Sequence, residues 1–243
     1  MSVALVTGGS RGIGAATARQ LAREGHDVAV GYHSDAAAAA QVVGAVRAHG
    51  RRSEAFAADL ADADAAAALV AEVEARLGPV DILIANAGIN QPGEQDVRRV
   101  GVDVWDRFMA INLRAPFILA ARTIDGMLER GFGRIVLLSS VAAYTGGIVG
   151  PHYAASKAGL HGLAHSLSQL AAGRGVTVNV VAPALIATDM MPTDPEALDQ
   201  LAARIPVGRL GEAEEVADLI SAIVRNGYVT NQSILIDGGM RPS

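Results

Sequence analysis

The stretch VALVTGGSRGIGAATARQLA, residues 3–22, places an apolar strand, a glycine-rich turn and a helix in immediate succession. Gly8, Gly12 and Gly14 carry no side chain, so the backbone can turn sharply and a phosphate can approach the positive end of the following helix. A plain tight turn would also use glycines, but the position between a buried strand and a helix favours dinucleotide binding. The stretch therefore predicts a nucleotide-binding unit at the start of the chain.

Short apolar runs alternate with longer helical patterns along the rest of the chain. The runs are rich in Val, Ile and Leu and mostly apolar on both faces, as buried parallel strands are. Strands are predicted over 3–7, 27–32, 53–59, 80–86, 134–140, 176–182 and 233–237. Helices are predicted over 12–24, 35–48, 62–77, 103–130, 152–172 and 212–225. This alternation predicts an α/β fold, a Rossmann-type doubly wound parallel sheet with helices on both faces.

The chain of 243 residues fits one large domain, with neither a linker nor an internal repeat to divide it. We therefore expect residues 1–243 to form a single dinucleotide-binding and catalytic domain. One connection departs from the alternation, because residues 184–211 are long and hold three prolines. It follows the end of a strand, the edge where such sheets bind ligands, so we expect a substrate lid there.

Composition and charge exclude several classes of protein. The formal net charge of −5 argues against binding to nucleic acid or to an anionic membrane. The chain has no cysteine, which excludes disulfides, thiolate zinc sites and cysteine nucleophiles. The start MSVALVTGG lacks the basic segment of a signal peptide, and serines, glycines and a proline interrupt the uncharged stretch 135–156. We expect a cytoplasmic protein.

His161 and His165 stand four residues apart on a predicted helix, a spacing that could bind a metal. No carboxylate or third ligand is evident near them in the sequence. We therefore expect a packed or interface helix and no metal site.

The end of the second predicted strand bears on the choice of cofactor. In dinucleotide folds an acidic residue there binds the ribose hydroxyls and disfavours a 2′-phosphate. The sequence has Gly31, Tyr32 and His33 instead, and Arg11 in the glycine turn can reach a 2′-phosphate as a forked donor. His33 is a weaker second contact, and Asp35 nearby argues mildly the other way. NADP(H) is favoured over NAD(H), with Arg11 as a plain surface charge the alternative.

The stretch PHYAASKAGL, residues 151–160, places Tyr153 and Lys157 on one face of a predicted helix. A tyrosine pKa of roughly 10 is too high for a base near neutrality. An adjacent ammonium group and a positively charged nicotinamide would favour the phenolate. The pair is thus a candidate for proton transfer, and the alternative is a solvated lysine beside a half-buried tyrosine.

Several stretches, in order along the chain, resemble the motifs of the short-chain dehydrogenase/reductase family. They are TGGSRGIG (7–14), NAG (86–88), INL (111–113), SSV (139–141), YAASK (153–157) and PALIATDM (183–190). The resemblance extends from Val3 to Met240. Within the family, the stretches RIPVGRLGEAEEVADLI and VTNQSILIDGGM are most similar to bacterial 3-oxoacyl-acyl-carrier-protein reductases and their close paralogues. Ala184 and Asn231 depart from the pattern, since glycine is common at both positions, although Asn tolerates a positive φ.

The resemblance implies a catalytic role for four residues. Tyr153 would be the general acid/base, Lys157 its partner, and Ser140 the donor that holds the carbonyl or hydroxyl oxygen. Ser140 is assigned rather than Ser139 because the family serine lies thirteen residues before the tyrosine. Asn112 would hold a water that links Lys157 to solvent.

The resemblance also implies four groups of cofactor contacts, to which Tyr153 and Lys157 are added. Gly8, Ser10, Arg11, Gly12, Ile13 and Gly14 would contact the pyrophosphate side, Asp59 and Leu60 the adenine, Asn86, Ala87 and Gly88 the adenosine ribose, and Pro183, Ile186 and Thr188 the nicotinamide.

Together these implications predict an NADP(H)-dependent oxidoreductase of fatty acid biosynthesis that reduces a 3-oxoacyl thioester by hydride transfer. One alternative is the same class of enzyme acting on another small ketone or alcohol, a sugar, a quinone or a polyketide intermediate. The other is a non-catalytic nucleotide-binding regulator. The resemblance further implies a homotetramer and docking of an acyl carrier protein. Arg174 is a candidate for a basic contact with that acidic partner beside the site mouth. At the other basic position, Arg130 is followed by glycine, so only one of the two positions supports docking.

Overall fold

The computed structural model describes residues 2–90, 95–188 and 194–241. Among these residues, seven strands form one sheet in which every neighbouring pair is parallel. They are Val3–Val6 (β1), Asp27–Tyr32 (β2), Ser53–Ala57 (β3), Val80–Ala85 (β4), Gly133–Leu138 (β5), Val176–Pro183 (β6) and, at the end of the chain, Ser233–Ile236 (β9). Two short strands, Ile186–Ala187 (β7) and Gly211–Glu212 (β8), pair separately.

Helices cover both faces of the sheet. In chain order they are Gly12–Arg23 (α1), Ala36–Ala48 (α2), Ala63–Leu77 (α3), Val102–Met109 (α4), Ala115–Arg130 (α5), Ala142–Thr145 (α6), Pro151–Ala171 (α7), Pro195–Ala202 (α8) and Ala213–Arg225 (α9). Apolar side chains of α3, α5 and α7 form the core on one face, and those of α1, α2 and α9 form the core on the other. Within the described parts of the chain, no helix has both the length and the apolar character needed to cross a bilayer.

The strand order β3-β2-β1-β4-β5-β6-β9 confirms the predicted doubly wound sheet. The chain winds outward from β1 first through β2 and β3, and then through β4, β5 and β6 on the other side. A crevice at the carboxyl ends of the strands is the ligand site that this reversal creates. The candidate site lies there.

The start and the end of the chain meet on one face of the sheet. Helix α9 packs against α1, with Ala16 buried against Ala213 and Ala217. At the end of α1, the Glu24 carboxylate accepts hydrogen bonds from the Ser221 hydroxyl and the Arg225 guanidinium. The last helix therefore closes the face that the first helix begins.

Two segments differ from the sequence prediction. The helix predicted over 103–130 is divided into α4, a five-residue π-helical turn at Ala110–Arg114, and α5. The predicted lid at 184–211 contains β7, α8 and the first residue of β8, and Ile186 pairs with Gly211 so that the two ends of the segment are joined. Residues 189–193 of the predicted lid lie outside the described residues.

Candidate active site

A cleft of about 770 Å³ follows the carboxyl edge of the sheet. It brings together nearly all of the residues that the sequence predicts for the site. Those that line it are Gly8, Ser10, Arg11, Gly12, Ile13, His33, Asp59, Leu60, Asn86, Ala87, Gly88, Ser140, Tyr153, Lys157, Pro183, Ile186 and Thr188. Gly14 and Asn112 are outside the lining and support it from behind.

The glycine turn after β1 forms one wall of the cleft and leaves no room for side chains. Gly8 and Gly12 have φ of +61° and +50°, in the left-handed region. A Cβ on Gly14 would lie 2.2 Å from the Gly8 carbonyl oxygen, so α1 starts in direct contact with the turn. Across the cleft, a Cβ on Gly12 would lie 3.1 Å from Cγ2 of Thr188. A bare, convergent backbone of this kind fits the pyrophosphate of a dinucleotide.

Thr7 joins the glycine turn to the segment that follows β4. Its Oγ1 accepts hydrogen bonds from the backbone N–H groups of Asn86 and Ala87, each at 3.1 Å. The Asn86 side chain returns two bonds from Nδ2, to the carbonyls of Thr7 at 2.9 Å and Gly8 at 3.1 Å. The predicted ribose and pyrophosphate contacts are therefore held as one unit. The sequence prediction missed this role of Thr7. Its position directly after β1 and before the glycine turn is the feature that could have indicated it.

The far end of the cleft is bordered by the residues after β2. Tyr32, His33 and Ser34 line it, and no acidic side chain stands at the end of the strand itself. Asp35 also lines the cleft, but its Oδ1 accepts the Ala38 N–H at 2.9 Å and so caps α2. Arg11 lines the same cleft.

The end of β5 holds the proposed catalytic residues of α7. The Lys157 ammonium donates to the Leu138 carbonyl at 2.7 Å, and the Ser139 hydroxyl donates to the Lys157 carbonyl at 2.9 Å. The Ser140 side chain lies beside that of Tyr153 in the cleft lining and lowers the pKa of its phenol. Lys157 Nζ lies 6.0 Å from the centre of the Tyr153 ring. Ser140 is thus the serine that acts on Tyr153, while Ser139 bonds to the backbone of α7, and the catalytic role of Ser140 stays a prediction.

Burial dominates the ionisation of the two central groups. It raises the pKa of Tyr153, and the Ser140 side chain opposes that rise only in part. Burial lowers the pKa of Lys157 from 10.5 to about 8. Burial and the Ser140 side chain are therefore what act on the pKa of the phenol, and the expectation that an adjacent ammonium group and a positively charged nicotinamide would favour the phenolate stays a prediction.

Asn112 is fully buried behind the cleft, in the π-helical turn. Its Oδ1 accepts the Ile89 N–H at 2.9 Å, and its Nδ2 donates to the Ile89 carbonyl at 3.0 Å and to the Ser156 hydroxyl at 3.1 Å. Ser156 in turn donates to the Tyr153 carbonyl at 2.8 Å. A Cβ on Gly88 would lie 3.2 Å from both Asn112 Oδ1 and Lys157 Nζ. Asn112 therefore joins the cleft wall to α7, and its role in holding a water stays a prediction.

Other residues line the cleft that the sequence did not single out. They are backbone neighbours of predicted residues or lie on α4, and include Ile89, Asn90, Arg107, Ile111 and Leu138. Ile111 stands beside Asn112 in the motif INL, which was its signal in the sequence. The sequence offers no such signal for Arg107, which reaches the cleft because it lies one helical turn before Ile111.

Arg130 and Arg174 do not border this cleft. Arg130 ends α5 just before β5 and is paired with Asp81 at 3.1 Å, and Arg174 lies in the turn before β6. Both therefore stand at the amino-terminal edge of the sheet, opposite the site. The expectation that Arg174 flanks the site mouth is wrong within one chain, because the crossover helices carry their ends to the other edge.

Comparison with known proteins places these motifs in a family. A family model described as short chain dehydrogenase matches residues 2–199. The chain is 38% identical over 240 residues to the 3-oxoacyl-acyl-carrier-protein reductase FabG of Staphylococcus aureus strain Mu50, covering 98% of this chain and 97% of the relative. It is 35% identical over 242 residues to the acetoacetyl-CoA reductase of Allochromatium vinosum, covering 98% of each.

A solved structure shares the whole fold. It is the crystal structure of a blue fluorescent protein from a metagenomic library in complex with NADPH, with a TM-score of 0.92 and 39% identity. The match covers 99% of this chain and 98% of that one. The similarity therefore extends over nearly the full length of both molecules.

Proposed function

Because the chain belongs to the short-chain dehydrogenase family and is an NAD(P)-dependent oxidoreductase of C=O and CH–OH groups, we propose that it reduces 3-oxoacyl thioesters with NADPH. The observation that carries the proposal is that Ser140, Tyr153 and the buried Lys157 meet in the wall of one cleft, together with the glycine turn. The two curated relatives, named for reduction of an acyl-carrier-protein thioester and a coenzyme A thioester, support the choice of substrate.

The side chains divide the work of reducing a ketone. The bound nicotinamide cofactor supplies the hydride. The Ser140 hydroxyl donates a hydrogen bond to the ketone oxygen and stabilises the negative charge that develops on it. Tyr153 gives that oxygen a proton, and its raised pKa keeps the phenol protonated and ready to donate at neutral pH. The Lys157 ammonium stabilises the phenolate left behind, and Asn112 holds the water through which the proton is replaced.

The preference for NADPH is part of the same proposal. At the far end of the cleft, Arg11 offers a forked donor, His33 a second contact, and the end of β2 no competing carboxylate. Asp35 is the acid that comes soonest in sequence after the end of β2, and it caps α2 with an oxygen that accepts the Ala38 N–H. The NADPH bound by the similar blue fluorescent protein supports this assignment.

Four further expectations belong to the proposal. We expect a cytoplasmic location, where NADPH and acyl thioesters are supplied, and a homotetramer, to be measured by sedimentation. Phe117 on α5 and Leu170 on α7 are 53% and 51% exposed, and we expect a second copy to cover these two apolar side chains. An acyl carrier protein is the expected macromolecular partner, and the 184–211 segment is the expected lid over the substrate.

The test follows the loss of NADPH absorbance with acetoacetyl-CoA, an acyl-carrier-protein thioester and a panel of simple ketones, sugars and quinones. We expect thioester reduction, a rate with NADPH above that with NADH, and a loss of at least about 10²-fold in Tyr153→Phe with NADPH binding retained. Tyr228→Phe is the matched control, because Tyr228 is 97% exposed and far from the cleft lining.

Two results would change the proposal. Reduction of another ketone but of no thioester would replace the substrate class. Binding of NADPH without turnover of any compound would favour the nucleotide-binding regulator instead.

A further inference from the structure

A second polar cluster lies next to the catalytic residues, one helical turn further along α7. It consists of Ser139, Tyr144, His161 and Ser233, and we call it the His161 cluster. His161 Nε2 is 2.9 Å from Ser139 Oγ, and Nδ1 is 2.8 Å from Ser233 Oγ and 3.4 Å from the Tyr144 hydroxyl. The Tyr144 and His161 rings meet edge to face with centroids 5.0 Å apart. The cluster therefore joins β5, α6, α7 and β9 through one imidazole.

The hydrogen-bond directions in the cluster follow from the number of protons available. The Ser139 hydroxyl gives its proton to the Lys157 carbonyl at 2.9 Å, so towards His161 its oxygen accepts. His161 must then carry a proton on Nε2 and accept on Nδ1, from the hydroxyl of Ser233 or Tyr144. Burial and the neighbouring His165 both lower the pKa of His161, which favours the neutral ring that this arrangement needs.

Through Ser139, the His161 cluster reaches the catalytic lysine. Three consecutive residues at the end of β5 contact α7: the Leu138 carbonyl accepts from Lys157 Nζ, the Ser139 hydroxyl donates to the Lys157 carbonyl, and the Ser140 side chain lies beside that of Tyr153. A serine hydroxyl rotates freely unless a partner holds it. Of these three residues, Ser139 is the one whose hydroxyl also bonds to the His161 side chain.

We propose that His161 is a positioning residue of the redox site, which orients Ser139 and thereby holds the end of β5 against α7 so that Ser140, Tyr153 and Lys157 keep their geometry. This inference rests on the proposed function of those three residues. It assigns the histidine a task that neither metal binding nor simple packing supplies. Among the described residues, no group of three or more His, Cys, Asp or Glu could hold a metal ion.

His165, one turn further along α7, provides the matched control. Its Nδ1 lies 2.6 Å from Asn231 Oδ1, so it holds the segment before β9 as His161 does. Asn231 has φ of 59°, a left-handed conformation that asparagine tolerates. His165 differs from His161 in making no hydrogen bond to a residue at the end of β5 among the bonds of the described residues.

The first experiment compares kcat in His161→Leu, His161→Gln, Ser139→Ala and His165→Leu. Loss of one oriented hydrogen bond predicts a fall in kcat on the order of tenfold for His161→Leu and for Ser139→Ala, with KM for NADPH unchanged. The double variant should lose no more than either single one, because both remove the same bond. His161→Gln can donate from its amide at similar reach and should recover most of kcat, and His165→Leu should stay within about twofold of the parent.

The second experiment needs no turnover, so it separates this inference from the proposed function. The ionisation of Tyr153 is followed by tyrosinate absorbance, with the corresponding Tyr153→Phe protein as the blank. The Ser140 side chain lowers the pKa of Tyr153, so misplacing Ser140 should move the midpoint upward in His161→Leu and Ser139→Ala. His165→Leu should titrate as the parent does.

Clear results would overturn the inference. An unchanged midpoint in His161→Leu and Ser139→Ala would do so, as would an equal shift in His165→Leu, which would indicate general loosening of α7. If His161→Leu does not fold, Ser139→Ala decides alone, since it removes a single hydroxyl. If the parent protein reduces no ketone, the proposed function is wrong. The titration then tests the role of His161 by itself.

Discussion

Lys157 and Tyr153 are both buried beside the cleft, and burial acts on them in opposite directions. It lowers the pKa of the lysine to about 8 and raises the pKa of the tyrosine. Each group is thereby moved towards its neutral form. At neutral pH the tyrosine keeps its proton while the lysine is still mostly charged, which is the state that a ketone reductase needs.

The lowered pKa of Lys157 has a consequence for stability. In the window between about 8 and the ordinary value of 10.5, the unfolded chain binds the proton that the folded protein has lost. The free energy of unfolding therefore rises with pH through this window, by about 1 to 3 kcal/mol. The measurement is urea denaturation at several pH values for the parent and Lys157→Met. The parent should gain relative to the variant as the pH rises, and a constant difference would contradict the burial argument.

Gly14 shows how little room the glycine turn has. In Gly14→Ala the new Cβ would lie 2.2 Å from the Gly8 carbonyl oxygen, so the turn or the start of α1 must shift. We expect a loss of NADPH affinity of at least about tenfold and a free energy of unfolding lower by about 1 to 3 kcal/mol. Fluorescence titration and urea denaturation measure the two effects.

The matched control for this change is Gly44→Ala in α2, where an added Cβ would meet no atom within 4 Å. Alanine is the better helix former, so this variant should gain roughly 0.5 to 1 kcal/mol and bind NADPH as the parent does. Equal behaviour of the two variants would show that the close approach in the turn has no consequence.

At the scale of elements, the apolar runs and glycines of the sequence were enough to predict the seven strands of the sheet, and helix ends within a few residues. The divided helix was not predicted, because the π-helical turn at Ala110–Arg114 follows from bonds between Asn112 and Ile89, which are distant in sequence. The pairing of β7 with β8 was missed for a similar reason, since each strand has two residues and no pattern of its own.

The π-helical turn makes Asn112 a structural as well as a proposed catalytic residue. Asn112→Leu would leave the half-buried Ile89 N–H and carbonyl without these partners, which should lower the free energy of unfolding by about 1 to 3 kcal/mol in total. Urea denaturation measures this loss. Thr123→Val is the control, because the buried Thr123 hydroxyl bonds only to carbonyls of its own helix and its loss should cost under about 1 kcal/mol. A similar loss in both variants would contradict the special role of Asn112.

For the whole molecule, the alternation of strands and helices predicted a doubly wound sheet but not which strands are neighbours. That order depends on pairings between distant segments, such as β1 with β4 and β6 with β9. The candidate site followed more directly, since the carboxyl ends of parallel strands share one edge wherever each strand lies. The burial of Tyr153 could not be predicted from the motifs, because it depends on side chains that only the folded chain brings around the phenol.

The meeting of α1 with α9 also affects how the protein is made. The glycine turn leaves the ribosome before Thr188 on the other side of the cleft and before α9, the helix that packs against α1. The nascent chain therefore exposes an apolar face of α1 through most of its synthesis, a period in which chaperones would protect it from aggregation. A messenger truncated before α9 would yield a chain with an intact glycine motif that fails to mature.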